Sequence, residues 1–142
     1  QRIEGAVETI LDVAHNAQAV DAFVRTLATL APVPRTHVLL GMLRVKDRES
    51  VIGSLQPIAD NWYFATVDAR RGATNSELYD SLKRVASKSA RAGTYDSIAD
   101  AYASAIAAAQ PGERIIALGS FLVVSEVMAC LTRWHPCRAL AK

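Results

Sequence analysis

The sequence predicts an α/β fold: a three-layer sandwich in which a mostly parallel sheet of about five or six strands is covered by helices on both faces. Three observations predict it. Short apolar runs alternate with longer stretches of helical periodicity, about five times along the 142 residues. The runs are close to continuous in apolar character, as strands buried on both faces require. Proline and glycine stand at the boundaries between the two kinds of segment.

The elements follow in order. Val7 to Val13 is short, apolar and β-branched and reads as a strand. Asn16 to Ala31 places Val20, Phe23, Val24, Leu27 and Leu30 on one helical face, and Pro32 and Pro34 stop it. Thr36 to Leu40 is a second strand, closed by Gly41. A loop with Lys46 and Asp47 leads to a helix from Arg48 to about Ala59, with Pro57 breaking its end. Trp62 to Val67 is a third strand, and Arg70 to Thr74 a loop. Thr74 or Asn75 caps a helix carrying Leu78, Leu82 and Val85. Thr94-Tyr95 gives a short strand, and Ser97 caps an alanine-rich helix from Ile98 to Ala109. Pro111-Gly112 turns into a last strand, Arg114 to Leu118, and a final helix runs from about Leu122 to Thr132. These elements make one domain, residues 1–132, followed by a tail, 133–142, without a period.

Composition narrows the function. Apolar residues make up 51% of the chain, enough for a sizeable core, and the formal net charge is only +2. The basic residues form no stripe and aromatic residues are few, so neither nucleic acid nor an anionic membrane is an expected partner. No apolar run reaches the length of a membrane span, and the N-terminus has no signal-peptide pattern. The two cysteines, Cys130 and Cys137, fit a reducing cytoplasm with no disulfide. The chain opens with Gln1 rather than Met, which suggests a fragment.

In open α/β sheets ligands bind beyond the carboxyl ends of the strands. Four loops lie there: Asp12 to Asn16, Gly41 to Asp47, Asp68 to Thr74, and Gly119 to Phe121. Asp12 is the sharpest residue, because a carboxylate at the end of an apolar strand is costly unless solvated, paired or hydrogen-bonded. Asn16 has a ready alternative role as a helix cap, and His15 as an exposed residue at a bend. Ser120, beside Gly119, can hold a carboxylate at a helix N-terminus or simply cap the helix. Lys46, and Arg70 with Arg71, can clamp an anion or be solvated. His15, His37 and His135 have no metal-ligand spacing, and no phosphate-binding P-loop, dinucleotide glycine motif or serine-hydrolase elbow is present.

Asp12-Val13-Ala14-His15-Asn16 resembles the Asp-x-Ala-His-Asn-Pro motif that opens the C-terminal domain of the Mur ligase superfamily. Within it the nearer match is the folylpolyglutamate synthase/dihydrofolate synthase family. Gly41-Met42-Leu43 with Lys46-Asp47, Trp62-Tyr63, Arg71-Gly72-Ala73 and Gly119-Ser120-Phe121 follow in the family's order, so the likeness runs from Gln1 to about Leu131. Ala17 replaces the motif's proline at the first helical turn, where either residue is tolerated. Gln1 resembles the end of a Gly-Arg-Phe/Leu-Gln phrase whose arginine, a contact of ATP phosphate in the family, would lie just upstream.

The resemblance implies a Rossmann-like domain of an ATP-dependent ligase that joins L-glutamate to dihydropteroate or folate through an acyl phosphate. It implies that Asp12 contacts ATP and that His15 and Ser120 hold the incoming glutamate, with Asn16, Lys46 and Arg71 as further candidates. ATP and Mg2+ would be bound mainly by an N-terminal P-loop domain that is this domain's partner, and the isolated domain would be inactive. Two alternatives remain open from the sequence: the C-terminal domain of a peptidoglycan-precursor ligase, and a Rossmann-like binding module without catalysis.

Overall fold

A computed structural model describes residues 1–44, 46–68, 70–87 and 89–134, the last without its side chain. Eleven elements follow one another among these residues: β1 (Arg2–Ile3), β2 (Glu8–Leu11), α1 (Ala17–Leu27), β3 (Thr36–Leu40), α2 (Arg48–Leu55), β4 (Asn61–Ala65), α3 (Asn75–Val85), β5 (Arg91–Tyr95), α4 (Ile98–Ala108), β6 (Arg114–Leu118) and α5 (Phe121–Trp134). The sheet order is β1-β2-β6-β3-β4-β5, parallel throughout except for the antiparallel edge pair β1–β2. The predicted α/β sandwich is the observed one.

Side chains alternate across the strands and divide the core in two. On one face Ile10, Val38, Leu40, Trp62, Phe64, Ile116 and Leu118 pack against α1, α2 and α3. On the other, Leu11, Leu39, Tyr63, Ala65, Ile115 and Ala117 pack against α4 and α5. The central strands β3 and β6 are buried at every residue, so their continuous apolar runs are a consequence of having helices on both sides.

Several boundaries differ from the sequence expectations, each for a local reason. The ladder of β2 ends at Leu11, so Asp12 and Val13 lie beyond it rather than within it. Helix α1 stops at Leu27, four residues before Ala31, because Thr29 and Leu30 donate to carbonyls three residues back and the Thr29 hydroxyl takes the Thr26 carbonyl at 2.7 Å. Helix α2 ends at Leu55; Gln56 keeps helical backbone, but Pro57 has no amide hydrogen to continue the ladder. Thr74, not Asn75, caps α3, its hydroxyl accepting from the Glu77 amide at 3.2 Å. Strand β5 spans five residues instead of two. Helix α5 continues through Arg133 and Trp134, which the sequence reading placed in the tail; the rest of the tail, including His135 and Cys137, lies outside the described residues.

At the amino ends of the strands buried polar groups are paired. Arg114 donates to Glu8 at 2.6 Å and to the Ala31 carbonyl at 3.2 Å, and Arg2 also donates to Glu8. Burial alone would raise the Glu8 carboxyl, but hydrogen bonds from Arg114 and Arg2 outweigh it and hold its pKa below the usual value. His37, fully buried in β3, contacts Glu113 through Nε2 at 2.7 Å and the Tyr63 hydroxyl through Nδ1 at 3.0 Å. The hydrogen bond with His37, helped by the Gln110 amide, lowers the Glu113 pKa.

Candidate functional site

At the carboxyl ends of the strands the layers part. Helix α1 leaves β2 toward one face and α5 leaves the adjacent β6 toward the other, so a crevice opens between them at this topological switch. The loops after β2 and β6 flank it.

After β2, the Asp12 amide still donates to Ala117 of β6 at 3.1 Å, which keeps Asp12 beside the end of β6. Asp12 Oδ1 accepts from the Ala14 amide at 2.8 Å, a turn that fixes the carboxylate without neutralising it. This bond supplies a structural role for Asp12 that spacing alone does not reveal. The second oxygen of the carboxylate can meet a ligand. His15 Nδ1 lies 3.0 Å from the Val13 carbonyl. A carbonyl can only accept, so Nδ1 carries the hydrogen, and in the neutral ring Nε2 is an acceptor. Asn16 is the N-cap of α1, its Oδ1 accepting from the Ala19 amide at 2.8 Å. That oxygen caps the helix, while the side-chain amide nitrogen keeps its two donors.

After β6, Gly119 takes φ +113°, a conformation that glycine alone adopts cheaply. This bend brings Ser120 to the start of α5, 8% exposed, with Oγ accepting from the Val123 amide at 3.2 Å. The oxygen accepts as a cap while the hydroxyl hydrogen can still donate to an anion placed at the helix N-terminus. Both sequence alternatives for Ser120 are therefore compatible in one geometry. Phe121, next in the chain, is 75% exposed.

Lys46 and Arg71 belong to the other side of the rim. The loops after β3 and β4 are joined by a backbone bridge, Leu43 with Gly72, by the Arg44 amide donating to Arg71 O at 2.6 Å, and by the Ala73 amide donating to Met42 O at 2.8 Å. Lys46 lies just before α2, whose N-cap is Asp47. The Asp47 carboxyl is held below its usual pKa by the Ser50 hydroxyl, 2.6 Å away, and the Ser50 amide. Arg71 and Arg70 are exposed. The fold thus sets Asp12, His15 and Ser120 on adjacent strand ends and carries Lys46 and Arg71 on the neighbouring loops.

A groove of about 620 Å³ runs from Asp12 and His15 along α1, floored by Ile10, Phe23 and Leu27. Among the described residues no three His, Cys, Asp or Glu side chains converge as a metal site, and no helix is long and apolar enough to cross a membrane.

The family model described as "Mur ligase, glutamate ligase domain" matches residues 1–121. The chain is similar to the dihydrofolate synthase/folylpolyglutamate synthase of Escherichia coli (strain K12), 30% identical over 128 residues, which cover 90% of this chain and 29% of that protein. The Haemophilus influenzae protein of the same name is 30% identical over 129 residues, covering 89% of this chain and 29% of its own length. Among solved structures, E. coli FolC in complex with DHPP and ADP superposes with a TM-score of 0.83 at 28% identity, covering 94% of this chain and 31% of that one. A bifunctional folylpolyglutamate synthase/dihydrofolate synthase with Mn, AMPPNP and L-glutamate bound has a TM-score of 0.80 at 32% identity, covering 92% and 30% respectively. The chain therefore spans less than a third of the length of these relatives.

Proposed function

We propose a function for this chain from one premise: it belongs to the Mur ligase glutamate ligase domain family. It is the part of an ATP-dependent amide-forming ligase that receives L-glutamate and joins it to dihydropteroate, folate or both. The observation that carries this reading is the placement of Asp12, His15 and Ser120 at the carboxyl ends of the adjacent strands β2 and β6.

In the reaction a pteroate or folate carboxylate is first phosphorylated at the expense of ATP. The amine nitrogen of glutamate then forms a bond with the acyl carbon, the carbon–oxygen bond to phosphate breaks, phosphate leaves, and the nitrogen gives up a proton. This chain's residues act by orientation and charge placement. The Ser120 hydroxyl, at the positive end of α5, donates to a glutamate carboxylate. Glutamate's ammonium loses one proton before attack, and His15 Nε2 accepts a hydrogen bond from the resulting amine, directing its lone pair toward the acyl carbon. Asp12, fixed by its bond to Ala14, contacts the nucleotide through its free oxygen. Lys46 and Arg71 add positive potential on the neighbouring rim. Asn16 serves the site by fixing the start of α1.

The remaining nucleotide contacts and Mg2+ fall to the larger part of the full-length protein, which supplies the phosphate-binding loop. Closure of that part over the rim excludes the water that would hydrolyse the acyl phosphate. The test is direct. Full-length protein is supplied with ATP, Mg2+, L-glutamate and either dihydropteroate or folate, and both phosphate and the glutamylated product are measured. Glutamate-dependent phosphate release with either acceptor is the expected result. Activity confined to a UDP-muramoyl acceptor would sink the folate reading and place the chain with the peptidoglycan-precursor ligases.

A further inference from the structure

Three glycines lie in the three loops that follow β6, β3 and β4, and each is packed where an added Cβ would force a neighbour to shift. A Cβ on Gly119 would overlap the Gly41 carbonyl oxygen and come within 2.9 Å of Leu40 Cδ1. A Cβ on Gly41 would come within 2.8 Å of Val123 Cγ2 and 3.0 Å of Val67 Cγ2. A Cβ on Gly72 would overlap the Val67 carbonyl and stand 3.0 Å from Val67 Cβ. The contacts are serial: Gly119 on Gly41, Gly41 on Val67, and Val67 on Gly72. Backbone bonds follow the same line, from Gly41 N to Leu118 O at 3.3 Å, from Ala73 N to Met42 O at 2.8 Å, and from Val67 N to Ala73 O at 3.2 Å.

We propose that Gly41, Gly119 and Gly72 form a backbone seam that positions Ser120, so that the loops after β6, β3 and β4 act as one rigid plate. This rests on the glutamate reading of Ser120 given above. Close-packed interiors do not deform continuously, so bulk added at one joint shifts the next. Gly119 precedes Ser120 directly, and the Val123 side chain that abuts Gly41 belongs to the residue whose amide donates to Ser120 Oγ. A side chain on Gly41 therefore pushes on α5 at Val123 and displaces the hydroxyl that would hold glutamate. Asp12 follows β2, outside the seam, so the nucleotide side of the site is spared. The seam residues touch neither substrate nor nucleotide; they are positioning residues.

The experiment compares full-length wild type with Gly41→Ala, Val123→Ala and the double variant. Gly41→Ala is expected to raise the KM for glutamate on the order of tenfold, since small misplacements of a positioning group cost one to two orders of magnitude. The KM for ATP should stay within about twofold. Val123→Ala removes the methyl that the new Cβ meets, so the double variant should recover most of the loss. If Gly41→Ala does not fold, Val123→Ile crowds the same joint from the α5 side and should give the same selective rise. Wild-type glutamate kinetics in a folded Gly41→Ala, or equal losses for ATP and glutamate without recovery in the double variant, would overturn the seam. A separate measurement distinguishes failure of the functional reading. In amide NMR spectra of the 142-residue chain, a variant at Gly41 or Val123 should shift both Ser120 and Ala73 resonances whether or not glutamate is a substrate. Unmoved resonances at either end refute the mechanical coupling.

Discussion

Ser120 and His15 are the residues on which the functional reading turns, and each makes a different prediction. Replacing Ser120 by alanine removes a hydroxyl that both caps α5 and faces the proposed glutamate. A hydrogen bond to a charged partner contributes about 1.5–3 kcal/mol, so kcat/KM for glutamate in the full-length enzyme should fall roughly 10–100-fold. Loss of the cap should lower stability by about 1 kcal/mol. A large stability loss with unchanged glutamate kinetics would reduce Ser120 to its capping role. His15→Gln should retain more activity than His15→Ala if a neutral acceptor at this position orients the amine. Equal, wild-type rates for both variants would remove His15 from the site. At this scale the sequence was informative where chemistry and spacing coincide, as in Asp12 to Asn16, and Asn16 shows its limit. A residue at a helix start is consistent with ligand or cap, and the 2.8 Å contact with Ala19 N shows the cap without testing the ligand role. The glycine contacts are not legible at all, because they depend on which loops the sheet order brings together. His37 is a similar case: its spacing excludes a metal site but cannot reveal its partner Glu113, which lies 76 positions away.

The elements repeat this lesson in another form. Strands β3 and β6 were readable because burial on both faces leaves an unbroken apolar run. Strand β1 was not readable, since two residues carry no periodicity and this strand exists by pairing with β2. Strand β5 contains Ala92 and Gly93, poor strand formers, and its length is set by five residues of register with β4. Helix α2 offers a test of what holds the layer together. Leu55 is fully buried at its end, against the core shared by α1, α2 and α3. Leu55→Ala should cost about 2–5 kcal/mol, read as a shift of the urea midpoint of the 142-residue chain. A loss under about 0.5 kcal/mol would mean that α2 is not packed as described.

For the whole molecule, acid sensitivity is expected to originate at the end of the sheet opposite the site. Glu113 has a lowered pKa, caused first by His37 and then by the Gln110 amide. A carboxyl with a depressed folded-state pKa stabilises the fold above its unfolded value, and that contribution is lost as the pH falls through the folded value. Stability of the chain should therefore decline on acidification below about pH 4.3, the ordinary glutamate value. The Glu8 carboxyl, held down by Arg114 and Arg2 against its own burial, adds to the same slope. In Glu113→Gln the slope of unfolding free energy against pH in this range should be shallower. An identical slope would remove Glu113 from the account. The proposed function makes a second prediction at this scale. The 142-residue chain should be cooperatively folded, with its two cores on either side of one sheet, yet should show no turnover with ATP, dihydropteroate and glutamate. Turnover by this chain alone would mean that the active site is complete within it.

The antiparallel edge strand has a practical consequence. Because β1 runs against β2, Gln1 lies at the ligand-facing end of the sheet, its carbonyl accepting from the Leu11 amide at 2.7 Å, and it lines the same groove as Asp12 and His15. In the full-length protein, a small fluorophore on a Gln1→Cys variant would report on events at the rim, and its emission could follow titration with glutamate or nucleotide.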